Sequence, residues 1–333
     1  MSEKIKLIHG DGGRYTDLLI NEVFYKHFEN NLLLDKSDAS VFELNGKLAF
    51  TTDSFVVKPL IFPGGDIGKL AVCGTINDLV TSGAEPLYLS CGFIIVEGTD
   101  MDLLERIVVS MAEVCRSTDT KIITGDTKVV EKGALDGIFI NTSGIGIIKN
   151  GYKPKTMEIG DDIIITGGIG EHGTTIAIER YNINVNGNFK SDCNPLNGLI
   201  KLLDKYLSGI KIMKDPTRGG LATILNEIAH KSNKNIKIIE ENIPIKPQVK
   251  WVNELIGLDP LYLACEGRMV LVASRDVSED IIKVLKQDIN HQESQIIGYL
   301  IEENSKPVVF METPIGGKKI LGALDGDMLP RIC

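Results

Sequence analysis

The 333-residue sequence lacks the signatures of several large classes of protein. It contains no run of about 18 apolar residues, and its first residues, Met1–Lys6, form no apolar signal region. Its histidines show no HxxxH pairing and its cysteines no CxxC pairing, which argues against a zinc site. The formal net charge of −9 and the absence of a Lys/Arg-rich run argue against a nucleic-acid-binding surface. We therefore predict a cytoplasmic protein that binds neither nucleic acid nor a membrane.

The six cysteines are far apart in the sequence and are predicted to be reduced and mostly buried. The last residue, Cys333, is the exception, because no residue follows that would bury it. Pro330 neither continues a helix nor donates to a sheet, so the tail is predicted to leave the body extended. Such a thiol can enter a cleft and carry a group on its sulfur, with Arg331 helping to stabilise the thiolate. An ordinary chain end explains Cys333 equally well.

Segments with helical spacing alternate with strand-like apolar runs, and the length suggests about two domains. The polar stretch Gly151–Gly160 is the predicted boundary between them. We predict an N-terminal domain over residues 1–155, a C-terminal domain over residues 156–320, and a mobile tail over residues 321–333. The Asn/Gly-rich stretch Asn182–Asn194 is predicted to be an exposed loop.

Aspartates stand at strand or helix junctions in several places. Asn45-Gly46 between the apolar runs Val41–Leu44 and Lys47–Thr52 predicts a β-hairpin whose second strand ends at Asp53. The other aspartates of this kind are Asp38, Asp78, Asp126 and Asp215. Several carboxylates without a histidine or cysteine partner favour Mg²⁺. Phosphate oxygens and water molecules complete the coordination shell of this ion. Taken singly, each aspartate is equally a turn former or a solvent-facing residue, and periodicity does not show that they meet.

Glycine-containing segments are candidate phosphate sites. His9–Arg14 is dense in glycine, and converging backbone N–H groups bind anions. It does not fit the P-loop pattern, and a flexible linker is the plain alternative. Met213–Leu221 places an aspartate, a proline-set turn, an arginine and two glycines before a helix.

Short motifs in this order carry a family resemblance. The first set is Thr51–Asp53, Gly74–Leu79, Gly125–Lys128 and Asp215–Leu221. These motifs resemble the ATP-binding superfamily named after aminoimidazole ribonucleotide synthetase, which includes selenophosphate synthetase and thiamine-monophosphate kinase. The second set is His9–Gly13, Ala264–Gly267 and Pro330–Cys333. Within the superfamily, this set looks like the hydrogenase-maturation carbamoyl dehydratase family, HypE.

The resemblance implies an α+β protein made of two α/β domains of the AIR-synthetase-like (PurM-like) type, with a flexible C-terminal tail. It implies a homodimer whose N-terminal sheets pair across the interface, with ATP held in a long groove. The implied partners are a HypF-type carbamoyltransferase and a HypC–HypD scaffold complex, which receives cyanide for the iron of [NiFe]-hydrogenase.

The implied reaction begins with a carboxamide on the sulfur of Cys333. ATP phosphorylates the carboxamide oxygen, and loss of phosphate leaves a thiocyanate. The amide nitrogen must lose protons, and Lys128 and Glu266 are the candidates for this step. A phosphate contact is an equal interpretation of Lys128, and a structural salt bridge with Arg268 is the alternative for Glu266.

The resemblance also assigns ligand roles by position. The implied ATP-binding residues are Gly10, Gly12, Gly13, Asp53, Asn77, Asp78, Asp126, Asp215, Thr217, Arg218, Gly219 and Gly220. The implied Mg²⁺ ligands are Asp38, Asp53, Asp78, Asp126 and Asp215.

Other functions compete with this interpretation. A small-molecule kinase or synthetase of the same superfamily would have no use for Cys333. A selenophosphate synthetase would be expected to carry Cys or selenocysteine beside Lys in its N-terminal segment, where His9–Arg14 has neither. A non-catalytic scaffold, in which ATP gates docking of the tail, is the alternative from another class.

Overall fold

The computed structural model describes residues 4–35, 39–149 and 151–325. The predicted metal ligand Asp38 and the predicted reactive residue Cys333 lie outside the described residues, as do Pro330 and Arg331. Helices and strands alternate along the chain, which confirms the predicted α+β architecture. Within the described ranges, no helix has the length and apolar character needed to span a membrane.

The elements of the N-terminal half follow the predicted periodic segments. Its helices are α1 (Arg14–Leu19), α2 (Lys26–Phe28), α3 (Asn31–Leu34), α4 (Ile67–Thr81) and α5 (Met101–Thr118), and a π-helical turn (Ile20–Tyr25) joins α1 to α2. Its strands are β1 (Lys47–Phe55), β2 (Ile61–Phe62), β3 (Gly65–Asp66), β4 (Glu85–Val96), β5 (Lys121–Val130) and β6 (Ile138–Ile148). Asp66 caps the start of helix α4, and its carboxylate accepts hydrogen bonds from the backbone N–H groups of Gly68 and Lys69.

The N-terminal sheet has the strand order β1-β6-β4-β5, with β4 and β5 parallel and the other neighbours antiparallel. Helices α4 and α5 cover one face, and Thr142 of β6 donates a hydrogen bond of 3.1 Å to the Ala71 carbonyl of α4. Among the described residues the other face is largely open, although the ring of Phe42 packs against Tyr88 there with ring centroids 4.8 Å apart. Phe50 on this open face is 70% exposed, and Leu48 and Ile94 are also exposed. Alternation along β1 therefore presents apolar side chains to solvent.

The predicted hairpin at Asn45-Gly46 is wrong. Residues 41–44 form no strand, and the side chain of Val41 is 85% exposed. Strand β1 instead pairs over its whole length with β6, from Lys47 opposite Ile148 to Phe55 opposite Ile140. The hairpin predicted from the local turn signal does not form, because β6, which is distant in sequence, offers β1 a longer ladder of backbone hydrogen bonds.

The C-terminal half contributes the second set of elements. Its helices are α6 (Glu171–Tyr181), α7 (Asn197–Leu202), α8 (Gly220–Ser232), α9 (Pro247–Ile256) and α10 (Arg275–Leu285). Its strands are β7 (Asp162–Ile165), β8 (Ile210–Lys214), β9 (Lys234–Ile239), β10 (Val270–Ala273), β11 (Gln295–Glu303), β12 (Val309–Glu312) and β13 (Lys318–Ile320).

The C-terminal sheet has the order β13-β12-β9-β11-β7-β10-β8 and is buried on both faces at its centre. On β7, Ile163 and Ile165 pack in one apolar cluster and Ile164 in another. The cluster that holds Ile164 also contains Cys73 of α4 and Leu199 of α7, so it crosses from one sheet system to the other. The halves therefore share a core, and the division of the chain after residue 155 stays a prediction.

The first residues of the predicted tail are packed. Leu321 is 1% exposed, and its carbonyl accepts a hydrogen bond of 2.9 Å from the side chain of Asn226 on α8. The next carbonyl, of Gly322, accepts a hydrogen bond from the Tyr262 hydroxyl. The described start of this segment is thus fixed to the body, in contrast to the predicted mobility from residue 321 onward.

Candidate active site

The predicted site residues fall in separate places of the single chain. Asp53, Asp78 and Asp215 lie close enough for their charges to interact, where α4, β1 and the loop that precedes α8 meet, and we call this cluster the acidic groove. Asp126 and Lys128 lie instead beside a cavity of about 710 Å³ at the β5 edge of the N-terminal sheet.

Long-range contacts bring the residues of the acidic groove together. Arg218 donates to the Asp53 carboxylate at 3.2 Å across 165 residues of sequence. Thr51, two residues before Asp53 and on the same face of β1, donates a hydrogen bond of 2.8 Å to Asp78. The Arg218–Asp53 pair is exposed, so it contributes little to stability, and the guanidinium can exchange the carboxylate for a phosphate.

The pKa values of the groove carboxyls reflect burial and mutual repulsion. Burial is the main cause that raises the pKa of Asp78, and the charge of Asp53 raises it further. Burial, with the charge of Asp78 next, raises the pKa of Asp215 to about 7. A divalent cation would relieve this repulsion, and carboxylate oxygens are the donors that Mg²⁺ prefers.

The loop before α8 needs its glycines. Gly219 and Gly220 have positive φ angles of 70° and 61°. A Cβ atom on Gly220 would lie 2.7 Å from the carbonyl oxygens of Leu261 and Leu263. The glycines thus let the helix start close to Arg218, where its first backbone N–H groups are suited to bind a phosphate.

Glu266 lies next to the acidic groove and is 4% exposed. Burial raises the pKa of its carboxyl well above the ordinary value, and the charges of Asp192 and Asp215 raise it further. Such surroundings favour the protonated carboxyl, and once ionised it is more basic than an ordinary glutamate. The predicted salt bridge between Glu266 and Arg268 is not among the ion pairs of Arg268, which are formed with Glu171 and Asp192.

Asn77 was predicted to bind ATP, but the structure uses its amide to join the two halves of the chain. Its Nδ2 group donates to the carbonyls of Asn194 at 3.2 Å and Glu266 at 3.1 Å. Its Oδ1 atom accepts a hydrogen bond of 2.8 Å from the backbone of Leu196. Both N–H bonds of the amide therefore point at protein carbonyls, which leaves the neighbouring Asp78 to face the groove.

The β5 cavity is built by the close approach of the glycine-rich opening to the sheet edge. A Cβ atom on Gly10 would lie 2.7 Å from the backbone nitrogen of Val129, so only glycine fits there. Gly12 also lines this cavity, whereas Gly13 immediately precedes α1. Lys128 and Asp126 form an exposed ion pair of 3.5 Å beside it.

Strand register separates this cavity from the acidic groove. Asp53 is opposite Thr142, Thr142 opposite Cys91, and Cys91 opposite Gly125. Residues opposite each other on neighbouring strands share a face, so Gly125 shares the face of Asp53 and the next residue, Asp126, projects to the other face. Three strand spacings place the β5 backbone about 14 Å from the β1 backbone. Lys128, opposite the exposed Ile94, lies on that open face as well. In a single chain the two candidates for proton removal, Lys128 and Glu266, therefore do not lie side by side.

The predicted metal site is not preformed. Among residues 4–35, 39–149 and 151–325, no group of three histidine, cysteine, aspartate or glutamate side chains is arranged to hold a metal ion. The donor chemistry of Asp53, Asp78 and Asp215 fits Mg²⁺ that also binds phosphate oxygens and water. The Mg²⁺ ligands, including Asp126 and Asp38, remain a prediction.

Comparisons with known proteins identify the family. The family model "AIR synthase related protein, N-terminal domain" matches residues 36–148, and "AIR synthase related protein, C-terminal domain" matches residues 158–310. The carbamoyl dehydratase HypE of Rhizobium leguminosarum bv. viciae is 44% identical over 99% of this chain and 95% of that protein. The chain belongs to the HypE family.

Solved HypE structures agree with this assignment. A crystal structure of the hydrogenase maturation protein HypE in complex with ATP has a TM-score of 0.93 and 42% identity, covering 98% of this chain and 99% of that chain. A crystal structure of a HypE–HypF complex has a TM-score of 0.81 and 45% identity, covering 92% and 99%. The resemblance of the sequence motifs to HypE is thereby confirmed.

Sequence reasoning missed functional neighbours of Glu266 in this HypE-family chain. Asn182–Asn194 was predicted to be an exposed loop, yet Asp192 is 8% and Cys193 2% exposed at its end. The single available signal was the cysteine itself, because a free cysteine is usually buried. The other described cysteines are buried as predicted.

Proposed function

We propose that this chain dehydrates a carboxamide carried on the sulfur of Cys333 to a thiocyanate, with conversion of ATP to ADP and phosphate. The observation that carries the proposal is a buried carboxyl, Glu266, beside an acidic groove built from Asp53, Asp78 and Asp215. Family membership supports it, because the relatives are named carbamoyl dehydratase and a solved HypE structure is a complex with ATP.

The proposed chemistry has two steps. The carboxamide oxygen attacks the γ-phosphorus of ATP, the bond to the bridging oxygen of ADP breaks, and the amide nitrogen gives up one proton. Loss of the second N–H proton then forms the carbon–nitrogen triple bond, while the carbon–oxygen bond breaks and inorganic phosphate leaves. Phosphate is a far better leaving group than hydroxide, so the dehydration becomes an elimination that a side-chain base can assist.

Residues of the acidic groove are suited to the phosphoryl transfer. Asp53, Asp78 and Asp215 would hold Mg²⁺, which neutralises phosphate charge when it is bound. Arg218 offers a guanidinium fork for a phosphate, and the turn of Thr217–Gly220 brings backbone N–H groups of α8 to the same place.

Glu266 is suited to the proton transfers. Its burial next to other acids makes its carboxylate more basic than an ordinary glutamate, which favours removal of an amide proton. Because Lys128 lies on the open face of the sheet, we assign it the phosphate contact that the sequence left as an alternative, beside Gly12 of the β5 cavity, while Asp126 keeps its proposed role as a Mg²⁺ ligand.

Partners follow from the same proposal. A HypF-type carbamoyltransferase would load Cys333, in line with the solved HypE–HypF complex. A HypC–HypD scaffold complex would take the cyanide for the iron of [NiFe]-hydrogenase. We also propose a cytoplasmic homodimer that pairs through the open faces of the N-terminal sheets, where Phe50 and Leu48 are exposed.

Intact-mass spectrometry tests the reaction directly. The full chain is incubated with carbamoyl phosphate, a HypF-type transferase and MgATP, and the modified residue is located by proteolysis. We expect a carboxamide that ATP converts to an adduct about one water lighter on Cys333, because dehydration removes the elements of water. Cys333→Ala should abolish both adducts, and Glu266→Gln should keep the carboxamide but slow its conversion by about 100-fold.

Other outcomes identify the competing functions. ATP consumption that Cys333→Ala leaves unchanged would favour a small-molecule kinase of the same superfamily. ATP binding without any conversion of a loaded carboxamide would favour the scaffold. Cys115→Ser is the control variant, because Cys115 is buried in α5 far from the groove and its pKa is raised by burial to about 12.

A further inference from the structure

The peptide backbone of Glu266 is held at both ends by side chains from other elements. Its carbonyl accepts a hydrogen bond of 3.1 Å from Asn77 on α4. Its N–H group donates at 3.3 Å to one carboxylate oxygen of Asp192, and the N–H group of Gly267 donates at 3.2 Å to the other. Neither Asn77 nor Asp192 belongs to the strand or loop that carries Glu266.

The Asn77 contacts reach across the molecule. Asn77 is 2% exposed, and each of its polar hydrogens bonds a backbone carbonyl of the C-terminal half, on Glu266 and on Asn194. The Asn194 backbone in turn donates to the Glu266 carbonyl at 3.3 Å. A single side chain of the N-terminal half therefore fixes both the Glu266 peptide and the segment that packs beside it.

The Asp192 contacts are equally enclosed. Its side chain is 0% exposed, and the guanidinium of Arg268 lies 3.6 Å from Oδ2, so the carboxylate is paired despite its burial. A Cβ atom on Gly267 would lie 2.0 Å from the Asp192 carbonyl oxygen. This contact explains why glycine follows Glu266, since any side chain would force the two segments apart.

We propose that Asn77 and Asp192 are positioning residues that hold Glu266 at the acidic groove, and that neither contacts the nucleotide. This inference rests on the proposed function, in which Glu266 moves the amide protons. Its physical basis is geometric, because a proton-transfer group works only within hydrogen-bond reach of its target, and a displacement of about 1 Å lowers the rate by about 100-fold.

Single-turnover kinetics on the carbamoylated full-length protein tests the inference. Asn77→Ala removes the donor to Glu266 and should slow conversion to the thiocyanate by about 100-fold, while the affinity for ATP changes by less than about twofold. Asp192→Asn keeps the shape of the side chain but loses one acceptor, so a slowing of about 10-fold is expected. This pattern separates positioning from nucleotide binding.

A matched control is available in Asn253 on α9. It is 0% exposed, and its Nδ2 group also makes two hydrogen bonds, to Thr174 and to the Val249 carbonyl. Asn253→Ala should lower the thermal midpoint as much as Asn77→Ala but leave the conversion rate unchanged. Equal slowing in both variants would overturn the inference, and so would a loss of ATP affinity in Asn77→Ala that accounts for its slower rate.

A second readout does not depend on turnover. Isotope-edited infrared difference spectra, with Glu266→Gln as reference, follow the carboxyl stretch of Glu266 in the full chain. In Asn77→Ala and in Asp192→Asn the carboxyl band should shift and broaden, as expected for a carboxyl that gains contact with water. In Asn253→Ala the band should stay unchanged. If the wild-type protein forms no thiocyanate, the proposed function fails, but this spectrum still tests the positioning of Glu266. An unchanged band in both Asn77→Ala and Asp192→Asn would contradict the positioning inference.

Discussion

Strands β1 of the N-terminal sheet and β10 of the C-terminal sheet bury their side chains in different ways. Along β1, Thr51, Asp53 and Phe55 point toward α4, whereas Phe50 on the opposite face is 70% exposed. All of β10 is buried, because apolar clusters cover the C-terminal sheet on both sides. One sheet thus has a free face, while the other forms the inner layer of a closed body.

Apolar residues therefore have different roles in the two sheets. The unbroken apolar run of β10 is typical of a strand covered on both faces. The alternating pattern of β1 predicts a half-buried strand, and its outward residues Leu48 and Phe50 are left exposed by the part of the chain that the structure describes. Exposed apolar residues grouped on one face are typical of an interface, so the open sheet is the expected place for a second copy.

Replacing one apolar residue in each sheet should give the largest contrast. Leu271→Ala in β10 removes a side chain with 0% exposure, and we expect it to lower the free energy of unfolding by about 2–5 kcal/mol. Phe50→Ala removes a side chain that is exposed in the single chain, so its effect on the isolated chain should stay below about 0.5 kcal/mol. Urea unfolding measures both.

Protein concentration separates the two kinds of burial further. The effect of Leu271→Ala should not depend on concentration, since the side chain is covered by its own chain. The effect of Phe50→Ala should grow with concentration, because association stabilises the folded state by mass action. A concentration-independent effect of similar size at both positions would refute the difference between the sheets.

Burial in the C-terminal half also has an electrostatic consequence at His172 of α6. Its side chain is 0% exposed, its ring packs edge-on against Phe62, and burial lowers its pKa to about 4. In the unfolded chain the His172 side chain takes up a proton near pH 6.5, whereas in the folded chain it stays neutral to lower pH. The stability that the neutral side chain contributes is therefore fully present above pH 6.5. This contribution is lost as the pH falls toward 4, and we expect a loss of up to about 3 kcal/mol.

Urea midpoints measured from neutral pH down to the acid limit of the folded state test this expectation. In His172→Gln the midpoint should fall less steeply than in the wild type between about pH 6.5 and 4. His230→Gln, at an exposed position on α8, controls for the loss of a histidine as such. Parallel wild-type and His172→Gln curves would show that His172 does not carry the acid sensitivity.

Much of the fold could be predicted from periodicity, whereas the arrangement of the site could not. The alternation of helical segments with strand-like apolar runs, predicted from apolar spacing, is present in the order α4, β4, α5 and β5. The aspartates were found because motifs resemble a known family, yet the separation of Asp126 from Asp53 depends on the β1–β6–β4–β5 register. A register is a property of partners distant in sequence, which local patterns do not encode.

The side chains that hold Glu266 were missed for the same reason. Asn77 contacts the Glu266 carbonyl across 189 residues of sequence, and Asp192 reaches its N–H group across 74. Nothing near Asn77 distinguishes an amide that faces a nucleotide from one that faces a carbonyl of another domain. The local signal was ambiguous, and only the fold shows which backbone carbonyls the Asn77 amide contacts.

A charge placed on the open face of the N-terminal sheet tests directly whether this face is the interface of the proposed homodimer. We expect Phe50→Asp to raise the dissociation constant of the homodimer by about 100-fold or more, because symmetry places the new charge in the interface twice and desolvates it. Sedimentation velocity over a concentration series measures this. Leu255→Asp on α9 is the matched control, since Leu255 is also exposed but lies away from the sheet.

The result separates a sheet-to-sheet dimer from its alternatives. A wild-type dimer that Phe50→Asp dissociates and Leu255→Asp leaves intact would assign the interface to the open sheet. A wild-type monomer at every concentration would contradict the proposed homodimer, and dissociation by Leu255→Asp alone would move the interface to the C-terminal half. Because the Phe50 side chain lies on the face of β1 opposite to Thr51 and Asp53, Phe50→Asp should leave ATP affinity unchanged if each chain forms its groove by itself. Weaker ATP binding in the dissociated chain would instead mean that residues of the open face, such as Asp126 and Lys128, reach the nucleotide only in the dimer.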